Sequence, residues 1–386
     1  MATKTLTLKR NINAPAEHIY RAFTNSTALR EWFCDAAMTQ PRVGGRLYCQ
    51  WANGEAVMGK FTALTPEKKV AFTLRGDGEG GHSEVAVTIT EKAGVSVLTL
   101  TDSGDSKQWA GAMAECERGW NEALDNLQSV LETGIDQRLT KRPLLGVEID
   151  APKPGDEGIR IASTTEGSGA RAGGIEKGDL IVSIGKFATP DGSALQAALG
   201  AHKAGDKVKV TVQRDGKKAP LTVKLSARNL EPVPATAEAL AEIVARKYTD
   251  VNRDLTQAFK GVSEEKAARA PAPGEWSARH ILAHLIAGER HINYWITTVI
   301  AGQEPWQDES EGNLRIRLDA VINGFPTIQA LLTELKRNEA ETVAMLNALP
   351  DAFVARKGAY DRVARTMLAW PDHTREHLEQ IRSAVR

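Results

Sequence analysis

The stretch WPDHTREHLEQI, from Trp370 to Ile381, holds two histidines that are four residues apart, His373 and His377. On an α-helix this spacing places both imidazoles on one face. Two imidazoles on one face of a helix are an incomplete metal site, so a third ligand would have to come from another helix. The alternative is that the pair binds no metal, so the interpretation depends on whether the rest of the chain supplies a third ligand.

The segment around this stretch, residues 236–386, has helical periodicity. Apolar residues recur at three- and four-residue steps in ATAEALAEIVARKYTDVNRDLTQAFKGV, ARHILAHLIAGERHINYWITTVIAG and PTIQALLTELKRNEAETVAMLNAL. Ser277 is a suitable N-cap for the second of these helices, and Pro371 should bend or restart the last one. Four helices with one longer connection predict an all-α four-helix bundle.

Five of the eight histidines of the chain lie in this segment. His280, His284 and His291 fall within roughly 40° of one another around their helix, so the residues alone leave several ligand sets open. Through PGEWSARHILAHL and HTREHLEQI the segment resembles the DinB-like superfamily, which includes bacterial thiol-dependent transferases and isomerases. That resemblance implies a metal triad of His284, His373 and His377. His280 and His291 would be supporting groups or an alternative ligand set.

Three imidazoles leave coordination positions open, which is typical of catalytic rather than structural metal sites. Neutral imidazole suits zinc, nickel, iron or copper, so the sequence does not choose the metal. Such a site would make a nucleophile of a low-molecular-weight thiol or of water. The predicted function is a metal-dependent thiol transferase or hydrolase. Glu289, five residues after His284, lies off its face and is not assigned as a base.

Residues 142–228 are rich in short Val and Ile strands and retain a single aromatic residue, Phe187. Through GSGARAGGIEKGDLIVSIG and PLLGV the segment resembles PDZ domains of the type attached to bacterial proteases. The resemblance implies that a protein's C-terminal carboxylate binds to backbone N–H groups of a loop, and that the peptide lies along a helix. The implied peptide-binding residues are Leu145, Gly146, Val147, Leu195 and Leu199. A spacer without a ligand is the alternative.

Residues 1–135 are predicted to form, in order, a strand, helices, an antiparallel meander of strands and a long amphipathic helix. This α+β pattern resembles the START-like (SRPBCC) superfamily, in the subgroup named for the activator of the heat-shock-protein-90 ATPase. The resemblance is carried by APAEHIYRAFTNSTALREWF, by the turn at Gly44 and Gly45, and by ERGWNEALDNLQSVLE. It implies a helix-grip fold around a cavity for a small apolar ligand. The candidate lining residues, which are ordinary core aromatics in the alternative interpretation, are Trp32, Phe33, Trp51, Trp109 and Trp120.

Composition limits the function further. The chain has 49 basic and 49 acidic residues, and this zero net charge argues against a nucleic-acid binder. No apolar run approaches the roughly 18 residues of a membrane span, and the N-terminus has no apolar leader core. With three cysteines at no metal spacing, we expect a cytoplasmic protein. The alternative to an enzyme is a non-catalytic ligand-binding adaptor or a stress-response chaperone accessory protein.

Overall fold

The structure is a computed structural model that describes residues 3–76, 82–150, 155–228, 230, 232–305 and 314–386, without the side chains of residues 3 and 105–112. The chain forms two compact units. The first unit comprises Met1–Gln50, Ala56–Ile135 and Pro232–Arg386, and the second comprises Trp51–Glu55 and Asp136–Glu231. No helix among the described residues is both long and apolar enough to cross a membrane.

The N-terminal segment is an antiparallel sheet with three helices. Its strands are β1 Thr3–Ile12, β2 Ala36–Thr39, β3 Arg46–Gln50, β4 Ala56–Thr65, β5 Lys69–Gly76, β6 Ser83–Lys92 and β7 Val95–Asp105. The sheet order is β1-β7-β6-β5-β4-β3-β2, so that β2 to β7 form a meander and β1 closes against β7. The helices are α1 Ala16–Thr24, α2 Ser26–Trp32 and α3 Ser106–Thr133. α3 packs on β1 and β7, which is the predicted α+β arrangement.

The second unit is β-rich, as predicted. Its strands are β8 Pro143–Leu144, β9 Val147–Ile149, β10 Ile159–Thr164, β11 Leu180–Ile184, β12 Phe187–Ala188, β13 Lys207–Arg214, β14 Lys217–Lys224 and β15 Ser226–Ala227. Its helices are α4 Gln137–Lys141, α5 Gly169–Ala172 and α6 Gly192–Gly200. The main sheet runs β14-β13-β11-β10-β9. The hairpin turn between β13 and β14 is made by Asp215 and Gly216, both at positive φ.

The C-terminal segment is the predicted helical bundle. Its four long helices are α7 Ala237–Ala258, α9 Ala278–Ala301, α11 Ile328–Asn347 and α13 Lys357–Ala384, and the shorter helices are α8 Glu264–Ala268, α10 Arg315–Gly324 and α12 Asp351–Val354. Ser277 caps α9, as predicted, by accepting a hydrogen bond from the N–H of His280 at 3.3 Å. α13 runs through Pro371 without a restart. α10 was not predicted from the sequence.

The N-terminal and C-terminal segments pack together within the first unit. The side-chain amide of Asn25 donates to the carbonyl of Gly302 at 2.9 Å, and the N–H of Glu304 donates to the hydroxyl of Thr27 at 3.0 Å. Gly134, which ends α3 at φ +83, lies so close to α13 that a Cβ there would be 2.8 Å from the carbonyl oxygen of Lys357. The two outer segments of the chain therefore share one compact unit, although the second unit separates them in sequence.

Limited trypsin digestion should cut first in the linkers at 136–142 and 228–237. α4 has no buried residue, Lys141 and Arg228 are exposed, and few contacts resist unfolding in such segments. Because the outer segments pack together, their two fragments should co-elute in size-exclusion chromatography after both linkers are cut. Mass spectrometry of the early digest identifies the cuts. First cuts inside a compact unit, or outer fragments that separate, would contradict this division.

Candidate metal centre

The structure brings His284, His373 and His377 together, each half-buried, and one ligand nitrogen from each residue lies within 4.8 Å of the other two. α9 supplies the first of these histidines, and α13 supplies the other two from successive turns. The Nε2 atom of His373 lies 3.2 Å from that of His284 and 3.1 Å from that of His377. These are the residues that the resemblance implied.

The spacing of the three nitrogens fits a cation. Imidazole nitrogens bind zinc at about 2.0–2.1 Å, so two ligands of one tetrahedral ion are about 3.3–3.4 Å apart, close to the two observed distances. Without a cation the cluster is poorly satisfied, because the Nε2 atom of His373 carries either one hydrogen or one lone pair. It therefore makes a well-formed hydrogen bond with only one of its two neighbours. A cation among the three nitrogens would accept all three lone pairs.

The surroundings favour the neutral imidazoles that a metal requires. Burial, and secondarily the charge of His377, lower the pKa of His373 below its ordinary value of 6.5. The Nδ1 atom of His377 lies 2.8 Å from the side-chain oxygen of Gln380, and this oxygen assigns the hydrogen to Nδ1. The Nε2 lone pair of His377 is then directed at the triad, as in metal sites whose ligands are oriented by outer hydrogen bonds.

Two tryptophans flank the triad. The indole of Trp276 lies 5.1 Å from the ring of His284, and the indole of Trp370 lies 5.2 Å from the ring of His373. Both indoles are partly exposed. Both residues stand within the histidine-bearing stretches of the sequence, but neither was predicted to belong to the site. Trp370 stands three residues before His373, and Trp276 stands eight residues before His284. This proximity to the ligands in the sequence was the signal that could have identified them.

The other two histidines of α9 point elsewhere. The Nδ1 atom of His280 lies 2.6 Å from the hydroxyl of Ser277, and its Nε2 atom lies 3.0 Å from Asp319. His291 lies beside Trp295 and Glu304, near Arg30 of α2. Neither histidine belongs to the cluster that could hold a metal ion.

The Ser277, His280 and Asp319 side chains form a chain of contacts like that of a serine hydrolase, but they lack an accessible nucleophile. The hydroxyl of Ser277 caps α9, and this residue is only 1% exposed. Asp319 contacts the Nε2 atom and Ser277 the Nδ1 atom of His280, which reverses the order found in hydrolytic triads. We therefore assign these residues a structural role at the start of α9.

The predicted carboxylate loop of the second unit has an unusual backbone. Gly146 adopts φ +80, and a Cβ there would be 2.2 Å from Cβ of Ser168, so only glycine fits. The carbonyl of Leu145 accepts from the N–H of Ala170, and the carbonyl of Gly146 accepts from the N–H of Thr165, each at 3.0 Å. Among the described residues, the N–H groups of Leu145 and Gly146 donate to no acceptor.

The remaining peptide-binding candidates divide between edge and core. Val147 begins β9, which lies at the edge of the main sheet and is partly exposed. Leu195 and Leu199 on α6 are buried in the hydrophobic core of the unit. They therefore belong to the core of this unit rather than to an open surface.

The candidate cavity residues of the N-terminal segment pack mostly on one another. The ring of Phe33 lies 5.0 Å from that of Trp32 and stacks on that of Trp120 at 5.8 Å. The indole of Trp32 donates to the carbonyl of Ala22, and that of Trp120 donates to Asp102. Trp51 belongs to the second compact unit, and the side chain of Trp109 lies outside the described residues. This packing resembles an aromatic core.

Three family models match the chain in succession. Residues 13–132 match the Activator of Hsp90 ATPase homolog 1-like protein family, residues 143–225 match the PDZ domain, and residues 247–381 match the DinB superfamily. The chain joins these three domains in this order. The three predicted resemblances and the multidomain fold class are thereby confirmed.

Curated relatives match only part of the chain. It is 34% identical over 115 residues to the serine protease Do-like HtrA of Lactococcus lactis subsp. cremoris, which is 26% of this chain and 28% of that protein. It is 30% identical over 146 residues to the protein of the same name from Lactobacillus helveticus, which is 34% of each chain. The chain thus spans about a third or less of the length of these relatives.

Solved structures are similar to part of the chain as well. The solution structure of the Aha1 dimer from Colwellia psychrerythraea is 22% identical and covers 33% of this chain and 96% of that chain, with a TM-score of 0.30. The crystal structure of CalU16 from Micromonospora echinospora is 22% identical. The match covers 33% of this chain and 74% of that chain, with a TM-score of 0.29.

Proposed function

We propose that the DinB-like bundle is a metal-dependent enzyme, of the thiol-transferase or hydrolase kind, that holds one divalent transition metal through His284, His373 and His377. The convergence of three Nε2 atoms, with contacts of 3.1 and 3.2 Å, carries the proposal. Zinc, nickel and iron all suit three neutral imidazoles. A low-molecular-weight thiol is the proposed co-substrate in the transferase case.

Each group of the site has a distinct part in this proposal. The chemistry that such an ion supplies is activation of a thiol or a water as nucleophile at neutral pH. Burial lowers the pKa of His373 and so favours its neutral form, and Gln380 keeps the hydrogen of His377 on Nδ1. The indoles of Trp276 and Trp370 present apolar surface beside the triad, so they would exclude water from one side and contact an apolar part of a substrate.

Metal content and thiol dependence test this function together. The full chain, incubated with zinc, nickel or iron and then desalted, should retain about one ion per chain by elemental analysis. The loaded protein should then consume an electrophilic test substrate. If thiol must be added, the reaction is a transfer, and if it proceeds in water alone, it is a hydrolysis. Protein that retains none of these metals would contradict the proposal.

The PDZ domain is proposed to bind protein C-termini through Leu145, Gly146 and Val147. Two N–H groups of this loop have no acceptor among the described residues, while the carbonyls of the same two residues are bonded inward. Adjacent backbone N–H groups of this kind bind carboxylates. The N-terminal domain is proposed, on the family resemblance alone, to bind a small apolar ligand.

Peptides with a free, apolar C-terminus should bind the full chain more tightly than the same peptides with an amidated terminus. Amidation removes the negative charge that the loop would recognise. Fluorescence anisotropy with paired labelled peptides measures the difference. Equal binding of the two forms, or a C-terminal peptide library without a binder, would argue for a spacer role.

A further inference from the structure

A buried carboxylate lies behind the metal centre. Glu289 is 2% exposed and accepts hydrogen bonds from the indole of Trp370 at 2.6 Å, the hydroxyl of Tyr248 at 3.0 Å and the hydroxyl of Thr342 at 3.0 Å. These donors lie on α13, α7 and α11, so all four long helices meet at this group. Five residues correspond to about 140° around a helix, so Glu289 points away from the face of His284.

Trp370 links this carboxylate to the triad. Its indole N–H is fixed by Glu289, and its ring lies against Gly288, where a Cβ would be 3.3 Å from Cζ2 of the indole. The same ring lies 5.2 Å from that of His373, with an angle of 30° between the planes. The indole is thus held between α9 and the histidine that contacts both other members of the triad.

We propose that Glu289 is a positioning residue of the metal centre and acts through Trp370. The inference rests on the proposed function of the triad. Rotation of the His373 ring changes both Nε2 distances at once, because its nitrogen is shared between them. The indole restricts that rotation, and a hydrogen bond from an N–H to a buried carboxylate is among the stronger contacts that fix a side chain.

The cost of burying Glu289 argues that it does more than fill space. Among the described residues its hydrogen-bond donors are all neutral, whereas the buried Glu334 is paired with Arg290 and Arg337. Burial raises the pKa of Glu289 to about 7. An apolar residue of similar size would occupy this place without the desolvation penalty, but it would not hold the indole of Trp370.

Metal affinity of full-length variants tests the inference. Glu289→Met removes the acceptor, and Trp370→Phe removes the donor but keeps an aromatic ring beside His373. Each should weaken binding of cobalt(II) by about 10- to 100-fold, the range typical of groups that orient metal ligands. The double variant should bind about as well as either single variant, because both remove one contact. Glu289→Gln, which keeps an oxygen for the indole, should recover part of the loss.

The visible absorption of cobalt(II) supplies a second measurement. Its bands report ligand geometry, so they should change in Glu289→Met and Trp370→Phe even at saturating metal. If Glu289→Met does not fold, Trp370→Phe carries the test, because it leaves the buried carboxylate in place.

Glu339→Met is the matched control. Glu339 is 3% exposed in the same bundle, and its carboxylate accepts a hydrogen bond from Asn252. Among the described residues this carboxylate makes no hydrogen bond to Trp370, so its replacement should alter stability and leave cobalt affinity unchanged. The positioning role alone would be overturned if folded Glu289→Met and Trp370→Phe bound cobalt(II) with wild-type affinity. It would also be overturned if Glu339→Met lost as much cobalt affinity as they do. A wild-type chain that binds no metal would overturn the proposed function and this inference together.

Discussion

Replacing His377 by alanine should abolish tight metal binding and lower the stability of the metal-loaded protein by about 3–4 kcal/mol, if the metal stands at 100–1,000 times its dissociation constant. The variant keeps only His284 and His373, which are too few to hold the ion. In the metal-free protein the same substitution should lower the free energy of unfolding only slightly, because the side chain of His377 is half-buried at the site. Unfolding in urea, with saturating zinc and then with a chelator, measures both quantities, and elemental analysis measures the metal.

His280→Ala is the informative control for this result. His280 is buried on the same helix as His284 but contacts Ser277 and Asp319. Its replacement should lower stability by the same amount with and without metal, and the ion should be retained. His291→Ala should also retain the ion. Loss of metal from either variant, combined with retention in His377→Ala, would mean that the ligand set is wrong.

The contrast between His280 and His284 marks how far the sequence determined the site. Helical spacing alone placed His373 and His377 on one face, but it left His280, His284 and His291 as equivalent candidates for the third ligand. The capping residue distinguishes them: Ser277 holds the ring of His280 at the start of α9. His291 lies seven residues beyond His284, about 10 Å further along the helix. The first of these reasons was present in the sequence, as a serine three residues before a histidine.

The sequence could not predict how the outer domains pack. Polar linkers and changes in composition indicate where a chain is accessible, and the order of three domains that they predict agrees with the three family models. They carry no information on contacts between residues that are 277 positions apart, such as Asn25 with Gly302 or Thr27 with Glu304. The same limit applies to the contact between Glu289 and Trp370, because burial of a carboxylate depends on four helices together.

Glu304 is the charged centre of the contact between the outer domains. Its side chain is 3% exposed and lies 3.3 Å from Arg30 of α2 and 2.8 Å from Arg362 of α13. The indole of Trp295 donates to it at 3.0 Å. Burial by itself would raise the pKa of Glu304, but Arg362 and Arg30 outweigh it and lower that pKa below its ordinary value of 4.5.

Glu304→Ala should therefore destabilise the first compact unit by about 3–5 kcal/mol, the usual cost of removing one partner from a buried ion pair. The substitution leaves two arginines facing each other with no carboxylate between them. Urea unfolding of the full chain measures the loss. Since the folded pKa lies below the unfolded one, the contribution of the carboxylate is complete above pH 4.5 and is lost as the pH falls. Acidification should accordingly reduce the difference in free energy of unfolding between Glu304→Ala and wild type.

Asp250→Ala provides the comparison for an exposed pair. Asp250 lies 2.9 Å from Arg253, but both side chains are more than half exposed, so its removal should cost less than about 1 kcal/mol. Trypsin digestion adds a second readout, since the outer fragments of Glu304→Ala should separate where those of wild type and Asp250→Ala co-elute. A loss below about 1 kcal/mol in Glu304→Ala, with fragments that still co-elute, would show that apolar packing rather than this carboxylate joins the two domains.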